Sequence, residues 1–375
     1  MGPSDLHVDD PRPPRQTALP VLVVAVAVGV LAAFVSVGAL AQRLNLAWGL
    51  WVTEALIFLG LPYVVLSRWG VDPARMSGAD TGTAKGVGLA FTLGALNYFA
   101  WAVPLMAAAQ AFFPKRVVEL FDSSAIFKHQ TPVELAVLVA GVGVAAPVCE
   151  EFLFRGVLQR GLMGKLQPPA AIVVTALVFA AFHLDPVGLL ARFEMGVVFG
   201  LLAWRSGSLW PSVAAHAANN LVSSALFFAS GGDTEEQLPL WIPLACLAVG
   251  NALLFLVARL SRGKLDSPRP AELVLGERRS FFRLAAPWLL GAVLALGFLL
   301  AVDARGVRLG VFDALHPLLG DARKDPALWE LRGKARSGEV PLAEYEAFRK
   351  ALAADGGVGL PLFSPDGGEG GQSIK

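Results

Sequence analysis

Nine apolar stretches of roughly 20 residues constrain this 375-residue chain more than any other feature. They fall near 17–40, 46–66, 86–113, 132–158, 169–187, 188–204, 209–230, 238–258 and 284–302. Each is long enough, as a helix, to span about 30 Å of hydrocarbon. The fifth and sixth are separated only by Asp185-Pro186, and Pro211 opens the seventh where a missing N–H costs little. Soluble domains carry about 25% charged residues; this chain has 16%, with 55% hydrophobic residues. The pattern predicts an all-α polytopic membrane helix bundle of about 8–9 transmembrane helices with a short soluble helical C-terminal tail.

Several function classes drop out early. A net charge of +1, with no basic patch interleaved with aromatics, gives no footprint for nucleic acid. Cys149 and Cys246 both lie in apolar runs, which excludes a disulfide framework and a cysteine zinc cluster and predicts small buried hydrophobes. The first stretch ends in Ala39-Leu40-Ala41, which resembles a signal-peptidase site. A signal h-region is about 7–15 residues long, and the leader over 1–16 holds Asp9 and Asp10, so 17–40 reads as a retained helix.

Basic residues orient the bundle. Arg262, Lys264, Arg269, Arg278 and Arg279 make the 259–283 link cytoplasmic, with Arg68, Arg75 and Lys85, and Arg160 and Lys165, on the same side. Gly231–Glu236 on the opposite side is basic-poor, whereas Lys115, Arg116 and Lys128 run against the rule. The amino terminus is therefore placed inside, and nine spans would put the carboxyl end outside. The helices at 17–130 precede the polar-rich core, those at 231–303 follow it, and a polar tail occupies 304–375. Within that tail Ala327–Arg336 and Leu342–Leu352 have helical periodicity around Ser337-Gly338, with Pro341 at a helix start. They resemble the short helical hairpins at the ends of many bacterial proteins. Such a hairpin favours the cytoplasm, against the nine-span count, and it is a candidate oligomerisation module. Asp366–Gly371 reads as a flexible end.

Three apolar stretches each carry anomalous polar residues. The fourth has Glu150, Glu151 and Arg155; the fifth has His183; the seventh has His216 and Asn220. A charge at membrane depth costs on the order of 3 kcal/mol, so such groups face a bundle interior or wet cavity and find partners. Glu151 and Arg155 are i and i+4 with the acid first, the better order for a pair. Glu150 then lies about 100° round the helix, free to meet His183 from another helix. His216 and Asn220, also i and i+4, point the same way. A carboxylate and an imidazole can share a water and take its proton, and a second imidazole with a carboxamide can donate to a developing oxyanion. Singly, each has a bland reading: a structural ion pair, a packing histidine, an asparagine that joins helices. Glu54 and Asn97 can line the cavity or bind a neighbour, and Arg192, near a helix start and two residues from Glu194, can snorkel to the interface. Trp48, Trp51, Trp69, Trp210 and Trp288 fall near segment ends, as an aromatic belt would.

The motifs Glu150-Glu151-Phe-Leu-Phe-Arg155, Phe179-Ala-Ala-Phe-His183 and His216-Ala-Ala-Asn-Asn220 resemble those of the CAAX protease and bacteriocin-processing (CPBP, or Abi) family of intramembrane endopeptidases, to which the CAAX prenyl protease belongs. Gly196–Gly200 and Ser206–Pro211 are similar to the family's small-residue helix and turn, and the likeness covers roughly 131–230. The resemblance implies that Glu150 and His183 activate the water, that His216 and Asn220 stabilise the oxyanion, and that Glu151 and Arg155 support the site. The family is often labelled a metalloprotease group. The resemblance nonetheless favours a metal-free glutamate mechanism, with Glu150, His183 and His216 as the alternative zinc set; His-Glu-x-x-His is absent.

The expected partners are the bilayer and a membrane-associated or lipidated peptide substrate, in a bacterial inner membrane, with a possible oligomer through the tail. Two other classes stand beside this one. A non-catalytic scaffold or bacteriocin-immunity-type protein would have little use for the intact motifs. A proton-coupled transporter using Glu54, Glu150 and His183 would bring inverted repeats, which the sequence lacks.

Overall fold

The structure, a computed structural model, describes residues 19–81, 84–128, 130–230, 238–260, 281–316, 318 and 325–356. The leader, most of the basic 259–283 link, the Gly231–Glu236 loop and the glycine-rich end lie outside the described residues. Among the described residues the elements are all helical, with no strand.

The apolar stretches become long helices in register with the sequence pattern. They are α1 Leu19–Leu44, α2 Leu46–Trp69, α3 Gly86–Phe112 and α4 Pro132–Leu162; α5 Pro168–Phe182, α6 Leu189–Ser206 and α7 Trp210–Ala229; and α8 Trp241–Leu260 and α9 Phe281–Leu315, the last broken by a kink at Asp303. Five of them, α1 to α4 and α8, are long and apolar enough to cross a membrane. Helix α5 is apolar but has only 15 residues. Helix α6 carries Arg192, Glu194 and Arg205, and α7 carries His216, Asn219 and Asn220, so these two trade hydropathy for polar contacts inside the bundle.

Local chemistry sets the helix ends. Thr131 and Glu134 cap α4 reciprocally, with Pro132 in its first turn, and Pro168 and Pro211 likewise open α5 and α7. Gly207, at φ 61°, ends α6 in the left-handed region. Its carbonyl accepts from Arg160 Nη2 at 2.8 Å, which ties the end of α4 to the turn before α7.

Helices α1 to α4 contain π-helical turns, at Phe34–Gly38, Thr53–Gly60, Tyr98–Ala102, Gly141–Ala145 and Phe152–Gln159. Three of these end two residues before a proline: Pro62, Pro104 and Pro147. A proline ring has no N–H and clashes with the carbonyl four residues back, and opening the helix by one residue relieves that clash.

The chain divides into two compact units, 1–42 with 46–295 and 43–45 with 296–375. The core of the first is aromatic. Phe154 stands edge-on to Phe179 (5.2 Å) and Phe182 (5.1 Å), with Phe58 beyond (6.3 Å). Small residues let helices approach closely: a Cβ at Gly196 would stand 2.9 Å from Ala176 Cα, and one at Gly94 would run into the Ala215 backbone. Cys149 is buried there as expected, but Cys246 on α8 is only half-buried. In the second unit α10 (Pro326–Ser337) and α11 (Leu342–Gly356) form the expected hairpin, turned by Gly338 at φ 92°. Leu309, Leu328, Ala335 and Tyr345 fill its core. Asp313 accepts from Tyr345 Oη at 2.6 Å and Arg332 Nε at 2.8 Å, and pairs with Arg349 at 3.2 Å.

Candidate active site

Pro147 opens the short α segment Ala146–Glu151, and the π turn Phe152–Gln159 follows it within α4. Between them they set out Glu150, Glu151 and Arg155. Glu151 and Arg155 have no exposed side-chain surface, and Arg155 Nη1 donates to Glu151 Oε1 at 2.7 Å. The pairing expected from the i, i+4 spacing is therefore present. Two ions this deep are tolerated only with further partners. Arg155 Nη2 donates to the Gly196 carbonyl at 3.2 Å, and its guanidinium lies 4.4 Å from the Phe179 ring centre and 5.4 Å from that of Phe199.

His216 on α7 joins the same carboxylate. Its Nδ1 is 3.0 Å from Glu151 Oε1, and its ring stacks on Phe199 at 5.0 Å and 20°. The Glu151 carboxylate can only accept, so Nδ1 carries the proton, and Nε2 is the edge turned toward Glu150 Oε2 at 4.0 Å. That Glu150 oxygen is buried and has no hydrogen-bond partner. Asn220, one turn on from His216, also reaches α4, donating from Nδ2 to the Val142 carbonyl at 2.8 Å.

His183 sits one residue beyond α5, at its carboxyl cap, rather than within the helix. Its Nδ1 lies 3.0 Å from the Phe179 carbonyl. A carbonyl only accepts, so Nδ1 donates and the neutral ring keeps its free lone pair on Nε2. Phe179 stands edge-on to both imidazoles, at 5.0 Å from His183 and 5.8 Å from His216. The histidine set directly against the glutamate pair is thus His216. His183 is anchored to its own helix and joined to the cluster through Phe179.

Two features were not anticipated from the sequence, and two residues expected to line the cavity or bind a neighbour, Asn97 and Glu54, find their places. Glu151 serves Arg155 and His216 together. Arg192 does not snorkel outward: it pairs with Asp185, because α6 begins at Leu189 and a first-turn arginine can fold back over the preceding loop. Asn97 donates to Glu194 at 3.0 Å, joining α3 to α6. Glu54, 3% exposed, lies on the α2 π turn packed against Ala146–Glu151, and its Oε2 has no hydrogen-bond partner. Spacing within one helix cannot foretell contacts between helices; the one signal was that each of these residues is polar inside an apolar run.

Zinc was the alternative occupant for Glu150, His183 and His216. Among the described residues no three His, Cys, Asp or Glu side chains converge as a ligand set. In both histidines Nδ1 is turned to an intramolecular partner, which leaves Nε2 as the free edge of each ring. As placed, Glu150, His183 and His216 do not close round a single point as a ligand set.

Fold and site together define an integral membrane protein of helices with a buried glutamate, arginine and histidine centre. Residues 132–222, which carry every residue of that centre, match the family model of the Rce1-like proteins, described as type II CAAX prenyl endopeptidase Rce1-like. The match makes this segment similar to the endopeptidase domain of the CAAX protease family. The family's activity supports an intramembrane protease function in general terms. No curated protein and no solved structure matches the chain.

Proposed function

We propose that the chain is an intramembrane endopeptidase that hydrolyses a peptide bond with a water activated by Glu150 and His183. His216 and Asn220 stabilise the oxyanion, and Glu151 with Arg155 supports them. The observation that carries this reading is the shared Glu151 carboxylate, which fixes Arg155 at 2.7 Å and His216 at 3.0 Å and aims His216 Nε2 at Glu150.

Each role follows from the chemistry of the groups present. Glu150 Oε2 is unpartnered, and 4.0 Å from Nε2 is too long for a direct hydrogen bond, so both groups can act on one reacting centre. With its Nδ1 proton committed to Phe179, His183 presents Nε2 as an acceptor for a water proton. The water's oxygen attacks the peptide carbonyl, the proton passes to the Glu150–His183 pair, and it leaves on the amine. Oxyanion stabilisation calls on His216 in its doubly protonated form, with Nδ1–H on Glu151 and Nε2–H toward the oxyanion, and on one Asn220 amide proton; Asn220 has a second besides that given to Val142. The substrate class is a membrane-associated or lipidated peptide, in a bacterial inner membrane.

The test is cleavage of an internally quenched, lipidated peptide by purified protein in proteoliposomes. Glu150→Gln and His183→Ala should each abolish turnover while leaving the melting temperature near that of the wild type. Full activity in either folded variant would refute the assignment of the water. Metal analysis of the same preparation, with activity measured after chelation, tests the metal-free step; zinc lost together with activity would overturn it.

A further inference from the structure

The loop that carries His183 into α6 has a feature its histidine does not explain. Leu184, the next residue, has a φ of 51°, and among the described residues it is the one non-glycine with positive φ. The left-handed region is unfavourable for a leucine. Its side chain is 59% exposed, so packing of that side chain does not impose the conformation. Something else in the loop must hold it there.

Asp185 supplies such a restraint. Its Oδ1 accepts from the backbone N–H of Val187 at 2.9 Å and of Gly188 at 3.1 Å, closing the loop on itself. Its Oδ2 pairs with Arg192 Nη1, one turn into α6. The two side chains are 9% and 16% exposed, so the pair is largely shielded from water and is stronger than a surface contact. Gly188 makes room for it: a Cβ there would stand 2.6 Å from both Asp185 Oδ2 and Arg192 Cζ. The Arg192 charge is also within electrostatic reach of His183 and Glu150.

We propose that the Asp185–Arg192 pair is a positioning clamp for His183, holding the loop in the conformation that requires a left-handed Leu184 and thereby setting the imidazole against the site. The clamp touches no reacting atom. Its relevance to catalysis rests on the reading of His183 given above.

The experiment uses full-length protein labelled with 15N in histidine, with the His183 resonances identified by their loss in His183→Gln. Wild-type His183 should show the single tautomer protonated at Nδ1. Asp185→Ala and Arg192→Gln should release it to a mixture of tautomers and lower kcat on the order of 10- to 100-fold with KM little changed. Arg192→Lys should recover part of both signals. Adding Leu184→Gly to Arg192→Gln should also recover part, because glycine adopts positive φ without strain and needs no clamp. An unchanged tautomer in both clamp variants, or no recovery in folded Leu184→Gly/Arg192→Gln, overturns the proposal. Activity in His183→Ala would instead defeat the catalytic reading, and the tautomer measurement would still decide the clamp.

Discussion

Replacing Arg155 by Met isolates the energetics of the buried centre. Arg155 is inaccessible to solvent and bonded to Glu151 at 2.7 Å, so the variant leaves a carboxylate in the core without its cation. Breaking a buried pair by removing one partner costs about 3–5 kcal/mol. At about 2–4 °C per kcal/mol for a unit of this size, Arg155→Met should melt roughly 6–20 °C below the wild type. Glu151→Leu alone should fall similarly, since it strands the guanidinium. The double variant Glu151→Leu/Arg155→Met removes both charges, and apolar replacement of a whole pair is often neutral or better. What remains is His216 Nδ1 without its acceptor, about 1–3 kcal/mol. The double variant should therefore melt above either single one and yet be inactive, because His216 has lost the group that orients it. Thermal melting of each purified variant in detergent, followed by tryptophan fluorescence, alongside peptide cleavage, reads both quantities. A double variant that melts no higher than Arg155→Met would refute the argument that uncompensated charge sets the cost. An active double variant would refute the orienting role of Glu151.

Two further outcomes follow from single contacts. Asn220→Asp keeps the side-chain shape but removes the amide donor, and it should lower kcat on the order of 100- to 1,000-fold with KM little changed, measured on the same quenched peptide. In the second unit, burial first and then the hydrogen bond to Asp313 push the Tyr345 phenol from its ordinary 10 up to about 12. The neutral phenol is the form that folding favours, so its contribution to hairpin stability is complete below pH 10 and is lost as pH rises through about 12. Phenolate absorbance of the full chain should contain a late-titrating component that loses one tyrosine's amplitude in Tyr345→Phe.

Much of this was legible because it is local in sequence. The apolar stretches fixed where the helices run, since length and hydropathy are properties of single segments. The i, i+4 rule paired Glu151 with Arg155, and the Ser337-Gly338 break marked the hairpin turn. Contacts between helices were not legible. Phase on α4 left Glu150 free for a histidine, but which histidine stands against it depends on how α7 packs, and the structure sets His216 there. Arg192 read as an interfacial residue because its partner, Asp185, lies across a loop whose left-handed Leu184 no propensity would foretell. The π turns had a signal in Pro62, Pro104 and Pro147, but it shows only when each proline is read for its effect four residues back.

Those π turns make α4 a rotary coupling. A one-residue widening shifts the facing of everything beyond it by about 100° relative to an unbroken helix. Before Gly141 the helix is held through the Val137 carbonyl, which accepts from Trp51 Nε1 at 3.0 Å; after Ala145 it presents the glutamates to His216. One helix can thus be clocked independently for anchoring and for chemistry. Deleting Val144, an outward-facing residue 57% exposed, would straighten the coupling and swing Glu150 and Glu151 away from α7 without touching either of them.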